Sequence, residues 1–171
     1  MTVTPEIESV DTRDRLIEGA ARLLHTQAYR GVGVKALCEA AGVRKGSFYH
    51  FFASKEDLTL AALDRSWERF RAEVVDPAVT EAPDAESRNQ AIKDACLDRS
   101  THDTDLSHPH VCIFGRLAAS ITESEPLLRA RLAEIFTEWA ELLGGGVAGW
   151  SALADIIGRL VLAFSVEVVE A

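Results

Sequence analysis

Residues 40–58 read A-A-G-V-R-K-G-S-F-Y-H-F-F-A-S-K-E-D-L, and the rest of the chain is parsed outward from this stretch. Before it, residues 34–41 place Leu37 and Ala41 on one face of a short helix. Gly42 interrupts the pattern, and glycine tolerates the positive φ that a tight turn requires. A second short helix follows over 44–51. Val43, Phe48, Phe51 and Phe52 anchor it, and Arg44, Lys45, Ser47, Tyr49 and His50 stand near its exposed side. Two short helices joined by a glycine turn, behind a longer supporting helix, form a helix-turn-helix. The second helix of that motif lays its N-terminal residues against base edges in the major groove. Ser54 then caps the next helix, with Asp57 at the third helical position in place of the usual Glu of a capping box.

The supporting helix is read from the stripe Leu16, Ala20, Leu23, Leu24 and Ala28, with Asp11 or Thr12 as its cap. Tyr29-Arg30-Gly31-Val32-Gly33 breaks it. Beyond the quoted stretch, Leu63, Trp67, Phe70 and Val74 predict a fourth helix that ends before Pro77. Residues 76–86 are polar with two prolines and read as a loop. A fifth helix spans about 86–100, a second loop 101–109 and a sixth helix about 110–122. Pro126 opens a seventh, whose Leu128, Leu132, Ile135, Trp139 and Leu142 form a seam that ends at Gly144-Gly145-Gly146. An eighth helix, about 151–169, is apolar on nearly all sides. The chain reads all-α, with an N-terminal arm and helix-turn-helix domain over 1–53 and a helical domain over 54–171.

Composition agrees with a folded helical protein: 47% hydrophobic and 26% charged, with only 5 prolines in 171 residues. No apolar run approaches the roughly 18 residues of a membrane span, and the acidic N-terminus lacks a signal core. Cys38, Cys96 and Cys112 are odd in number and widely spaced, which argues for a reducing compartment. A cytoplasmic location is expected. The net charge of −9 conceals a division. Residues 12–56 hold eight Lys/Arg against four acids, a local +4, whereas residues 57–171 sum to −10. One basic segment on an acidic body is the distribution expected when one face meets phosphate.

The quoted run resembles the DNA-binding signature of TetR-family repressors, and the resemblance extends over about residues 12–60. It implies that Arg44, Lys45, Ser47, Tyr49 and His50 contact double-stranded operator DNA, Tyr49 and His50 at phosphates rather than bases. Arg44 is the candidate for reading guanine. Lys55, at the start of the fourth helix, would bind phosphate with the backbone N–H groups there. Gly33 stands where the family usually has Thr or Ser, which removes one phosphate contact. The segments V-C-I-F-G-R-L-A-A-S-I and E-P-L-L-R-A-R-L are similar to consecutive helices of one large subgroup. The family pairs through its last two helices, so helices seven and eight would form a homodimer. A small-molecule effector would lie among Trp67, Phe70, Cys96, Cys112, Phe114, Leu117, Phe136 and Trp139.

Other chemistries fit less well. His102, Asp103, His108, His110 and Cys112 are metal-ligand types, but H-x-H-x-C on a loop lacks a second pair, and no metal or other cofactor is expected. Cys112, near a helix start and close in sequence to His110, is an alternative redox sensor, in a regulator with altered or lost DNA binding. No Ser-His-Asp spacing, phosphate loop or paired-carboxylate site stands out, so no enzyme is expected.

Overall fold

In a computed structural model, residues 5–82, 84–102, 112–149, 151, 153 and 154 are described, with side chains for 11–82, 84–95, 113–149, 151, 153 and 154. All regular structure among them is helical: α1 (Pro5–Thr26), a 3-10 turn (Tyr29–Gly31), α2 (Val34–Ala41), α3 (Lys45–Phe51), α4 (Lys55–Phe70), a π turn (Arg71–Val75), α5 (Asp76–Glu81), α6 (Ala85–His102), α7 (Cys112–Ser120) and α8 (Pro126–Leu142). None of the described helices is long and apolar enough to cross a membrane.

The N-terminal core follows the expected stripe. Leu16, Ile17, Ala20 and Leu24 of α1 are buried against Leu37 and Ala41 of α2, Phe48 of α3 and Leu58 and Ala62 of α4. Helix α1 starts earlier than residue 12, so Asp11 is not its cap. Asp11 sits inside the helix and faces Arg15 at 3.9 Å. The helix also stops at Thr26, two residues short of the expected end, because Ala28 is already extended as it enters the 3-10 turn.

The loop expected over 76–86 is a correction. The chain stays helical through Pro77, because the π turn sets Asp76 N–H on the carbonyl of Arg71, and the proline falls in the first turn of α5. A missing N–H costs little in a first turn. The true break is short. Ala82 is extended, and Asp84 caps α6 by accepting from the Ser87 N–H at 2.8 Å and the Ser87 hydroxyl at 3.1 Å. Those two bonds hold the Asp84 carboxyl below the usual carboxylate range. The second expected loop starts later than residue 101, since α6 runs to His102; residues 103–111 lie outside the described part.

The same core continues between α4, α7 and α8. Trp67, Phe70, Phe114 and Trp139 form an aromatic cluster, with Phe70 and Trp139 centroids 4.7 Å apart and Trp67 edge-on to Phe114 at 5.9 Å. Each such buried side chain contributes roughly 1.5–3 kcal/mol by leaving water, with somewhat more for ring pairs in these orientations. The seam Leu128, Leu132, Ile135 and Trp139 belongs to this core. It was expected to face a partner copy, and instead it is buried within one chain. Helix α8 ends as expected: Leu143 caps it and Gly144 takes φ +115. Of the eighth expected helix, residues 151, 153 and 154 are helical and Leu153 is buried; the remainder lies outside the described residues.

Candidate nucleic-acid interface

The geometry of α2 and α3 follows from three local features. Gly42 caps α2 at φ +64, ψ 37, in the left-handed region that side chains avoid. Its N–H closes on Glu39 O, and Val43 N–H closes on Cys38 O at 2.9 Å. Arg15 of α1 donates to the carbonyls of Ala41 and Gly42 at 2.8 and 2.7 Å, and Arg22 donates to Ala40 O at 3.0 Å. These two guanidiniums satisfy carbonyls that the end of a helix leaves without partners. Gly19 lets the two helices meet closely, since a Cβ there would lie 3.0 Å from the Ala41 nitrogen.

Helix α3 is then fixed from beneath and free above. Phe48 is fully buried, its ring 6.2 Å from that of Phe52, and Arg13 lies over the Phe52 ring at 5.4 Å. Arg44, Lys45, Gly46, Tyr49 and His50 are exposed, and Ser47 is half-buried. Tyr49 is 53% exposed, packed edge-on against Phe48, with the Lys45 ammonium 5.9 Å from its ring centroid. His50 packs edge-on against Phe51 at 4.8 Å. Arg44 is the N-cap of α3, its carbonyl accepting from Ser47 N–H at 2.9 Å. Five of the expected contact residues therefore share one small surface.

Lys55 does not join them. Its ammonium turns inward, donating to the carbonyls of Tyr29 and Val32 at 3.0 and 3.1 Å, and lies 3.8 Å from the Tyr29 ring centroid. Partial burial lowers its pKa, against the pull of Glu125. Tyr29 is pushed up to about 12, first by burial and then by Glu56 and Glu125. The other sequence expectations nearby hold. Ser54 accepts from the Asp57 N–H at 3.0 Å, and Gly33 caps α2 without a side-chain bond.

The local +4 thus has two uses. Arg15, Arg22 and Lys55 hold backbone carbonyls, Lys35 faces Glu39, and Arg30 donates to Thr122 Oγ1 at 2.6 Å. Arg44 and Lys45 have no carboxylate partner among the described residues and face outward. Sequence reasoning counted all eight cations as one patch.

Contacts between the two halves were also missed. Tyr29 N–H donates to Ser120 Oγ at 3.2 Å beside the Arg30–Thr122 bond. Glu125 accepts from the Thr122 N–H and hydroxyl at 2.8 and 3.0 Å, which keeps its carboxyl below the usual range. Farther along, Glu138 accepts from Trp67 Nε1 at 2.9 Å and from Arg71 at 2.5 Å.

The residues expected around an effector separate into groups. Trp67, Phe70, Phe114, Leu117 and Trp139 are buried together, and Trp139 Nε1 has no acceptor among the described residues. Phe136 stands apart, half-buried, in a groove between α7 and α8. Cys96 lies in α6 and Cys112 opens α7, with side chains outside the described residues. Of the metal-type cluster, His102 ends α6, while Asp103, His108 and His110 fall outside the described part.

Residues 16–62 match the family described as "Bacterial regulatory proteins, tetR family". The HTH-type transcriptional regulator LmrA of Bacillus subtilis (strain 168) is 32% identical over 135 residues, covering 77% of this chain and 69% of that protein. The HTH-type transcriptional repressor KstR2 of Rhodococcus jostii (strain RHA1) is 31% identical over 160 residues, 89% of this chain and 73% of its own length. Among solved structures, the reduced form of E. coli NemR superposes with a TM-score of 0.70 at 22% identity, over 92% of this chain and 89% of that one.

Proposed function

The chain belongs to the tetR family of bacterial regulatory proteins, and on that premise we propose that it is a repressor that binds a palindromic operator as a homodimer and leaves it when a small molecule binds. The observation that carries this reading is the exposed set Arg44, Lys45, Tyr49 and His50, seated on the buried Phe48. A short helix so anchored presents cations and hydrogen-bonding groups at the width of a major groove. Lys45, Tyr49 and His50 meet phosphates, and Arg44 reads a base edge with Ser47 beside it. Lys55 acts from within, holding the 3-10 turn to α4 so that the Gly33 end of α2 keeps its position.

Pairing involves α8 and the apolar stretch 151–169. The 128–139 seam is buried in its own chain, so the proposed pairing uses the other faces of α8 together with that stretch. Two-fold pairing sets the recognition helices about one helical turn of DNA apart, and an effector acts by changing that spacing. The aromatic cluster is where an effector would be felt. A buried indole N–H without an acceptor costs roughly 1–3 kcal/mol, and a ligand oxygen beside Trp139 would recover it. Selection of bound sequences from random DNA tests the reading. Enrichment of an inverted repeat is the expected result, and an unenriched pool would overturn it.

A further inference from the structure

The groove between α7 and α8 has a volume of about 480 Å3, within the range of small-molecule sites, about 300–1,000 Å3. Its wall is apolar: Ala118, Ile121, Leu132, Ala133 and Phe136. Its polar residues are Thr122, Glu123 and Arg129. Arg129 is the unusual one. It sits in the first turn of α8, where the helix dipole disfavours a cation. Arg131 nearby is paired with Asp64 at 2.6 Å and Glu134 at 3.0 Å, whereas Arg129 has no carboxylate partner among the described residues. It does so in a half of the chain that sums to −10, where partners are abundant.

We propose that this groove binds an apolar monocarboxylate, its chain along Phe136, Leu132 and Ile121 and its carboxylate on the Arg129 guanidinium. Arginine grips a carboxylate through two parallel N–H bonds, and Arg129, exposed at the groove and without a carboxylate partner among the described residues, has its guanidinium available for them. Beyond Arg129 the α8 side of the groove is apolar (Leu132, Ala133 and Phe136), so a second carboxylate there would lose hydration without a partner, and a monoanion is preferred over a dianion. The site is distinct from the aromatic cluster, which is buried and does not line the groove.

Its position gives it a consequence for DNA binding. Thr122, which lines the groove, receives the Arg30 guanidinium, and Ser120, two residues earlier at the end of α7, receives the Tyr29 N–H. Those bonds join the sensing half to the turn that leads into α2. An occupant that shifts residues 120–123 therefore acts on α2 through two defined hydrogen bonds. This last step rests on the proposed operator binding; the site itself does not.

Decanoate, decan-1-ol and decanedioate are the probes, titrated calorimetrically into the full-length protein. Decanoate is expected to bind at least tenfold more tightly than decan-1-ol and decanedioate. Arg129→Gln should remove that preference over the alcohol. Ala133→Trp, which fills the groove from an exposed position, should abolish binding, with thermal melts confirming that each variant folds. No binding, or binding unchanged in both Arg129→Gln and Ala133→Trp, would overturn the site. Loss of the dimer in Ala133→Trp by light scattering would assign the groove to a second copy and overturn it equally. Operator affinity is then measured with and without decanoate in the wild type and in Thr122→Val. A fall of at least threefold in the wild type, absent in Thr122→Val, is expected. Binding of decanoate with operator affinity unmoved would overturn the relay. A ligand-free protein that binds no operator would instead overturn the repressor reading, leaving the site to be judged by calorimetry.

Discussion

The Lys55 ammonium lies 3.8 Å from the centroid of the Tyr29 ring and donates to the Tyr29 carbonyl at 3.0 Å, so one side chain holds both the ring and the backbone of the residue that opens the 3-10 turn. A cation over a ring and two charge-assisted bonds to carbonyls make this a structural clamp. Lys55→Met keeps the stem and removes the charge. It should destabilise the fold by about 1–2 kcal/mol, a few degrees in Tm, with the partial exposure of the site discounting the full value of such bonds. Thermal unfolding followed by circular dichroism checks this. An unchanged Tm would return Lys55 to the surface role that its sequence position suggested.

The exposed face of α3 should behave in the opposite way. Lys45→Ala and Tyr49→Ala are expected to leave Tm within about 0.5 kcal/mol of wild type, as surface substitutions usually do. Both should abolish gel shifts on the selected operator. For the wild type, log affinity should fall linearly with log salt, because phosphate contacts release counterions. A flat salt dependence would remove the phosphate contacts from the account.

Two glycines in the same motif should respond with opposite signs. At Gly42 the φ of +64 strains any side chain, and a Cβ would stand 2.8 Å from an Arg15 nitrogen. Gly42→Ala should therefore cost about 1–2 kcal/mol, and more if Arg15 loses its carbonyls. At Gly46 a Cβ meets nothing within 4 Å, so Gly46→Ala should stabilise the free protein by up to about 1 kcal/mol. Urea unfolding measures both. A loss of operator affinity in the stabilised Gly46→Ala variant would place this backbone against the DNA.

Tyr29 provides a pH test. Its folded pKa of about 12 lies above the ordinary value of 10.0 because the phenolate would be poorly solvated and close to Glu56 and Glu125. Between those values the folded chain holds a proton that the unfolded chain has lost. The stabilisation is thus complete below pH 10 and falls away as pH rises toward 12. Ultraviolet titration should show one tyrosine ionising near pH 12, and Tyr29→Phe should delete that step.

What the sequence made plain was local. The Gly42 turn, the Phe48 anchor and the Ser54 cap each depend on neighbours a few residues away, and all three stand where their spacing placed them. The prolines misled at 76–86, because a proline breaks a helix interior but sits easily in a first turn, and no pattern announced the π turn that supplied one. The inward turn of Lys55 was hidden for another reason: its carbonyl partners are 26 and 23 positions away and carry no side-chain signal. The Arg30–Thr122 bond, across 92 positions, was hidden likewise. An apolar seam such as 128–139 says that a face is covered, not whether its own chain or a copy covers it.

The two indoles of the aromatic cluster, Trp67 and Trp139, lie 5.9 Å apart with their planes inclined at 43°. At that spacing and skew their intense electronic transitions couple as an exciton pair, which gives far-ultraviolet circular dichroism a signed couplet. The couplet depends on the mutual orientation of the rings and vanishes when they separate. Trp67 is also tied to Glu138, and Trp139 is not tied, so a molecule entering beside Trp139 would turn one ring against a fixed one. The chain therefore carries an intrinsic optical gauge of its own interior, readable without a label.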